Sequence, residues 1–280
     1  MPRPRQRTGI PPLDPQRYAP TPQRPLRAKL RQLKADTRVV PHSHPWGQLA
    51  LSFIGVVRLT VERGTYIVPP SRALWIPPGV EHAVTVLEDA DLRTLYLYQS
   101  AGRFGPEVPR AQDEPWRQCR VLEVSDLLRA LVAELSTAPD DAPQPLTADE
   151  AQRERRIAAL VLDELRRARP VRLGVDLPGD KRLRTLCEAV LDDPTRHATL
   201  DGWARDCGAS KRTVARLFRQ ELGTSFGQWR QQVLLAKAVA MAARKLPMGT
   251  IAGELGYASA SAFTAMVRRS VGAPPSRFFA

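Results

Sequence analysis

A chain of 280 residues with 43% hydrophobic content is long enough for two ordinary domains, each with its own core. The formal charge of +13 is unevenly spread: nine Lys and Arg against one acid in residues 1–34, 17 against 20 in 35–179, and 16 against eight in 180–280. Cys119, Cys187 and Cys207 show no paired spacing, which excludes a disulfide framework and a cysteine-based zinc site and suits a reducing compartment.

Basic ends flanking a slightly acidic middle are what phosphate binding by one terminal domain requires, the bland alternative being a solvated charged surface. No apolar run approaches the roughly 18 residues of a membrane span, and the N-terminus lacks the apolar segment of a signal peptide. A cytoplasmic protein with no membrane partner is expected.

Residues 1–28 carry Pro2, Pro4, Pro11, Pro12, Pro15, Pro20, Pro22 and Pro25 among arginines with little to bury, and they read as a disordered arm. From residue 29 to 118 the pattern changes to short apolar or alternating runs. Gln48 to Ile54, Val56 to Val61, Gly64 to Val68, Ala73 to Ile76, His82 to Leu87 and Arg93 to Tyr98 are separated by turn residues, as a small barrel or sandwich needs.

Three of the four histidines fall inside this β domain. His42-x-His44, then Gln48, then Gly55, and later Pro77-x-Gly79-x-x-His82 resemble the two motifs of cupin barrels. In that fold two His, a Glu and a later His bind a divalent metal, so the resemblance implies a metal site on His42, His44, Gln48 and His82. Two histidines one residue apart project to one face of a strand, and a third from a neighbouring strand can complete a facial set. Gln48 departs from the pattern, because a neutral amide is a poorer ligand than a carboxylate. Three readings stand: a divalent metal, a small effector held by hydrogen bonds, or a structural polar patch. Trp46 and Trp75 lie near the motifs, either as pocket walls or as ordinary core.

Residues 119–169 read as two helices, with Val124, Leu127, Leu128, Leu131, Val132 and Leu135 at helical spacing, a break over 136–145, and a second helix from Ala148 to Ala168. Residues 170–179 read as a linker, with Pro178-Gly179 as a turn.

Residues 180–280 hold an internal repeat. Leu200, Ala204 and Gly208 recur as Met248, Ala252 and Gly256, and the later positions recur one residue further along. Each copy reads as a short helix, a glycine turn and a longer amphipathic helix, the pattern of a helix-turn-helix. Ser210 and Ser259 stand where an N-cap hydroxyl is needed. Val214, Leu217 and Phe218, and in the second copy Phe263, Met266 and Val267, mark the core faces. The opposite face of the first long helix offers Lys211, Arg212, Thr213 and Arg216 for phosphates and guanine edges. In the second copy, Ser261, Thr264, Arg268 and Arg269 are the candidates, with fewer base readers among them. Trp203, Trp229, Ile251 and Leu255 read as packing residues, and Gln220, Glu221 and Glu254 as solvated faces.

The runs GASKRTVARLFRQELGTSFGQW and IAGELGYASASAFTAMVRRSVGAPPSRF resemble the tandem helix-turn-helix domain of AraC-type transcription regulators, and WIPPGVEH resembles the cupin-like domain that precedes it in that family. The resemblance implies an α+β protein with an N-terminal cupin-like β-barrel and appended helices, then an all-α tandem helix-turn-helix domain whose two reading helices are held by a connecting helix, Phe226 to Arg244. It implies double-stranded operator DNA and a small-molecule effector as partners, a homodimer through the helices of 119–169, and RNA polymerase if the protein is an activator rather than a repressor. The competing readings are a metal-dependent cupin oxygenase or isomerase fused to a DNA module, and a nonspecific architectural DNA binder.

Overall fold

The computed structural model describes residues 7–144, 146–171 and 173–279. Residues 1–6 of the expected arm, and positions 145, 172 and 280, lie outside the described residues. Two compact units emerge, 7–61 with 68–171, and 62–67 with 173–279.

In chain order the strands are β1 (Thr8–Ile10), β2 (Leu26–Leu33), β3 (Thr37–His42), β4 (Gly47–Ile54), β5 (Val57–Val61), β6 (Gly64–Val68), β7 (Arg72–Ile76), β8 (His82–Val86), β9 (Ala90–Leu97), β10 (Arg120–Glu123), β11 (Pro170–Val171) and β12 (Gly174–Asp176). In the first unit one sheet runs β11-β10-β7-β4-β9-β2 and the other β1-β3-β8-β5.

The period-two alternation of strands sorts their side chains between two environments. Leu26 and Ala28 of β2, Leu49 and Leu51 of β4, and Leu95 and Leu97 of β9 join a buried cluster with two helices. Their sequence neighbours Lys29 and Arg31, Gln48, and Leu92 and Thr94 instead line a cavity shared with Val39, His42, His82 and Val84 of the other sheet. One face of the first sheet is therefore core under helices, and the other looks onto a polar interior.

Those helices are α1 (Asp126–Ala133), capped by Ser125, and α2 (Ala148–Arg167), which opens with a capping box between Thr147 and Glu150. Leu128, Val132, Ile157, Val161 and Leu165 are buried in the cluster with Trp75, at roughly 1.5–3 kcal/mol for each large side chain removed from water. Val121, expected near the first helix, lies in β10 instead, because it pairs with Leu74 of β7.

The arm expectation is corrected for residues 7–28. Thr8–Ile10 pairs in parallel with β3, Pro15–Tyr18 forms a 3-10 turn, Tyr18 is buried, and β2 begins at Leu26. The arginines of this stretch are held by acids far along the chain. Arg17 donates to Asp141 at 2.8 Å, Arg24 grips Glu154 through two bonds of 2.8 and 3.0 Å, and buried Arg27 pairs with Asp140. A segment with few apolar residues is thus ordered by ion pairs. The linker expectation is corrected in the same way: Pro170–Val171 pairs with β10, and Gly174–Asp176 pairs with β6.

The second unit carries α3 (Lys181–Asp192), α4 (Leu200–Asp206), α5 (Lys211–Leu222), α6 (Phe226–Ala243), α7 (Met248–Glu254), α8 (Ala260–Val271) and α9 (Pro275–Phe278). Its organising element is α6, which opens with a Ser225–Gln228 capping box. Phe226, Trp229 and Val233 pack with Trp203, Val214 and Phe218 of the first helix-turn-helix, and α6 also packs against α7 and α8. Trp229 is fully buried, and its indole donates to the Asp176 carbonyl at 2.7 Å. Glu221, expected on a solvated face, accepts from the backbone N–H of Gly179 at 3.0 Å and of Asp180 at 3.2 Å, at the start of α3. No helix among the described residues is long and apolar enough to cross a membrane.

Candidate nucleic-acid interface and effector cavity

The two helix-turn-helix turns are built alike. Gly208 and Gly256 take φ of +64° and +77°, a left-handed conformation that costs glycine little and lets the first helix of each pair end sharply. Ser210 Oγ then accepts from the Thr213 N–H at 3.1 Å, and Ser259 Oγ from the Ala262 N–H at 3.2 Å. Such N-caps each stabilise a helix by ~1 kcal/mol.

Burial of Val214 and Phe218 turns Lys211, Arg212, Thr213 and Arg216 outward, all exposed. Arg216 donates to the Gln220 amide oxygen at 2.7 Å, which extends it along the helix face. In α8, Phe263, Met266 and Val267 are buried, Ser261, Arg268 and Arg269 are exposed, and Thr264 is half-buried. Two of the candidate hydroxyls are engaged beside caps: Thr213 Oγ1 lies 2.9 Å from Ser210 Oγ, and Ser261 Oγ lies 2.8 Å from Ser259 Oγ. The cationic candidates of α5 are Lys211, Arg212 and Arg216. Those of α8 sit at its C-terminal end.

A brace under α4 escaped the sequence reading. His197 Nε2 lies 2.8 Å from the Asp206 carboxylate, which also takes Arg196 at 2.9 Å, and the imidazole stands edge-on to Trp203. Gly202 is required where it is, since a Cβ there would come 2.7 Å from the His197 ring.

In the β unit, His42 and His82 are cross-strand partners of β3 and β8, with ring centroids 4.4 Å apart, and His44 lies 5.3 Å from His82 and 6.4 Å from His42. All three expected histidines therefore converge. Each turns Nδ1 to a backbone carbonyl: His42 to Val40 at 2.9 Å, His44 to Trp46 at 2.9 Å, His82 to Val80 at 3.0 Å. Burial lowers all three below the usual imidazole range, His82 to about 3. They are neutral, and in His42 and His82 the single ring proton sits on Nδ1, leaving Nε2 as an acceptor.

Gln48 lies with its amide 2.7 Å from His44 Nε2. The facing atom is the amide oxygen, which accepts from the ring N–H. Trp46 stacks on His44 with ring centroids 5.6 Å apart, whereas Trp75 belongs to the core and donates to the Trp116 carbonyl at 2.8 Å. Glu81 is exposed.

The sequence reading missed Lys29, Arg31 and Tyr96. Buried Lys29 donates to the Tyr96 hydroxyl at 2.5 Å. Desolvation, then the nearby Arg31, lowers its ammonium to about 8, while burial raises the Tyr96 phenol. The available signal was the alternation Arg27, Lys29, Arg31 with Leu26, Ala28, Leu30 along β2.

A divalent metal does not fit these residues. The Nε2 that His44 would offer is occupied by Gln48, no carboxylate lines the cavity, and a buried ammonium faces it. Among the described residues no group of three or more His, Cys, Asp or Glu side chains is placed to hold a metal ion.

A pair of capped helix-turn-helix motifs on a shared helix, with a separate β unit enclosing a polar cavity, defines a DNA-binding regulator with a ligand-binding domain. The comparisons give the family. A Helix-turn-helix domain model matches residues 203–280, and an AraC-like ligand binding domain model matches residues 25–154. The chain is 32% identical over 240 residues to the HTH-type transcriptional regulator NimR of Escherichia coli (strain K12), covering 85% of this chain and 81% of that protein. It is 30% identical over 102 residues to the HTH-type transcriptional regulator RipA of Corynebacterium glutamicum, covering 36% of this chain and 31% of that protein. Among solved structures it is similar to ToxT from Vibrio cholerae O395, at 10% identity over 91% of this chain and 97% of that one, with a TM-score of 0.35. That last similarity is too low to carry the fold, which rests on the strands and helices themselves. The chain belongs to the AraC-type transcription regulators, with a helix-turn-helix DNA-binding domain and an AraC-like ligand-binding domain.

Proposed function

We propose that this regulator reads a specific operator through α5 and α8 and that the cavity of its β unit takes a small-molecule effector. The observation that carries the first half is the outward face of α5, where Lys211, Arg212 and Arg216 stand exposed opposite buried Val214 and Phe218. Arg212 and Arg216 are the base readers, Lys211 and Thr213 secondary contacts, and Arg268 and Arg269 phosphate contacts that orient α8, with Ser261 and Thr264 at its groove edge. The second half rests on the cavity lined by His42, Gln48 and His82, with His44 behind them. A cytoplasmic location follows from a DNA target, and contact with RNA polymerase follows if the protein activates.

A homodimer belongs to this proposal in reduced form. The apolar stripes of α1 and α2 are spent on their own unit, which leaves Leu127 and Leu160, exposed at 53% and 52%, as the apolar surface a second copy would cover. The named relatives are regulators, so the reading of the β unit as an oxygenase or isomerase is set aside. Titration of the full chain with promoter DNA and a scrambled duplex at two salt concentrations tests the operator reading. A preference for the promoter that persists at the higher salt supports it, and equal binding to both duplexes overturns it in favour of a nonspecific architectural role.

A further inference from the structure

The cavity between the sheets has a definite chemistry. Its wall carries two cations, Lys29 and Arg31, and no Asp or Glu. Lys29 is only 7% exposed, donates to a neutral phenol rather than a carboxylate, and lies 4.7 Å from the centre of the same ring. Its fall to about 8 is the consequence of burial beside Arg31 without a compensating acid. A buried cation is costly unless an anion or a set of hydrogen bonds offsets the lost water, so the interior is electrostatically prepared for a negative group.

A second feature asks for a donor. His82 is 1% exposed, and its Nε2 is buried without a hydrogen-bond partner among the described residues. With the ring proton on Nδ1, facing the Val80 carbonyl, Nε2 is a lone pair with nothing to accept. A buried acceptor left unpaired costs on the order of 1–3 kcal/mol. Carboxylate oxygens cannot meet that need, and an ammonium donor is opposed by the two cations. A hydroxyl carries the donor without the charge.

Size and the remaining walls narrow the class. The cavity volume is about 30 Å³, room for two or three waters at roughly 10–15 Å³ each, so only the smallest organic anions come into question and the walls must yield to admit one of five non-hydrogen atoms. Val39, Val84 and Leu92 supply the apolar part of the wall, which suits a short carbon body. A neutral sugar would leave the cations uncompensated, and an inorganic anion without an O–H, such as chloride or nitrate, would leave His82 unpaired.

We propose that the cavity binds a small hydroxycarboxylate, its carboxylate held by Lys29 and Arg31 and its hydroxyl donating to His82 Nε2. This rests on the reading of the β unit as the effector domain, and it is tested without DNA, so that it can fail while operator recognition stands, and the reverse.

The experiment is calorimetric titration of the full chain at neutral pH with three probes of nearly equal size: glycolate, acetate, which lacks the hydroxyl, and glycolamide, which lacks the charge. Saturable glycolate binding is expected, at least tenfold tighter than either analogue. In Lys29→Met, which removes the charge but keeps the stem length, glycolate affinity falls at least tenfold. Absence of saturable glycolate binding, acetate or glycolamide binding as tightly as glycolate, or a folded Lys29→Met chain with undiminished affinity overturns the proposal. Should Lys29→Met fail to fold, the three probes on the unaltered chain decide the matter alone.

Discussion

The side-chain amide of Gln48 lies 2.7 Å from Nε2 of His44, the nitrogen that a metal would otherwise claim. One atom of difference from glutamate thus replaces a candidate carboxylate ligand with a neutral amide whose oxygen engages that nitrogen. Gln48→Glu restores a carboxylate between histidines whose Nδ1 atoms already face backbone carbonyls, the arrangement that orients imidazole ligands. The variant is expected to bind Zn²⁺ at least tenfold more tightly than the parent, measured by titration and by metal content after dialysis. Equal affinity in the two would show that Gln48 is not what excludes the metal.

Unequal investment in the two reading helices has a measurable form. Arg212→Ala and Arg216→Ala should each cost ~1–3 kcal/mol of discrimination between operator and mutated operator. Thr264→Ala and Ser261→Ala should cost well under half of that. Arg268→Ala and Arg269→Ala should weaken all duplexes alike and reduce the salt slope by about one each. Anisotropy titrations with base-substituted operators check this, and equal losses under both helices would refute the asymmetry.

Glycine placement separates two substitutions that look alike on paper. Gly227 lies within α6 with open space around a would-be Cβ, whereas a Cβ on Gly202 of α4 would meet His197. Gly227→Ala should raise stability by ~0.5–1 kcal/mol, the usual gain of alanine over glycine in a helix. Gly202→Ala should lower it, and the loss should shrink when His197 is also replaced by alanine. Urea unfolding of the four chains gives the comparison.

Acid sensitivity follows from the buried imidazoles. His82 is held at about 3, from an ordinary 6.5, so between these values the unfolded chain takes up a proton that the folded chain does not. Stability therefore rises with pH across that window and is lost as pH falls through it. From pH 7 to pH 5 this one group accounts for a loss on the order of 2 kcal/mol, and the lowered His42 and His44 act in the same direction. Unfolding at the two pH values, repeated with His82→Gln, should show a shallower pH dependence in the variant.

The exposed leucines of α1 and α2 bear on assembly. Leu127→Glu and Leu160→Glu sit outside the buried stripe of their helices and should leave folding intact while shifting the chain toward monomer, as read by light scattering on a size column. A parent that is already monomeric at micromolar concentration would remove the dimer from the proposed function.

How much was legible in advance depends on how local each feature is. The tandem helix-turn-helix could be read because helical period, N-cap serine and turn glycine all lie within a dozen or so neighbouring residues, and Ser210, Gly208, Ser259 and Gly256 occur where the pattern put them. The three histidines were visible as a spaced motif, and their convergence was a fair inference from strand pairing. Lys29 was not visible as a cavity residue, since the cavity forms only when β2 and β9 of one sheet face β3 and β8 of the other. The N-terminal segment was misread for the same reason: its composition is that of a disordered arm, and the acids that order it are Asp140, Asp141 and Glu154.

The sequence by itself determined the DNA-reading module, the strand-rich character of the first half and the identity of the histidine cluster, because short-range periodicity and capping chemistry encode them directly. Tertiary structure alone decided that Gln48 masks His44, that two uncompensated cations share the cavity with His82, and that arginines of residues 17–27 are tied to the far end of their own unit. The cation and arginine contacts join positions tens of residues apart, and even Gln48 and His44, four residues apart, meet only because of how the chain turns into β4; no local pattern specifies which charge or lone pair a side chain will meet.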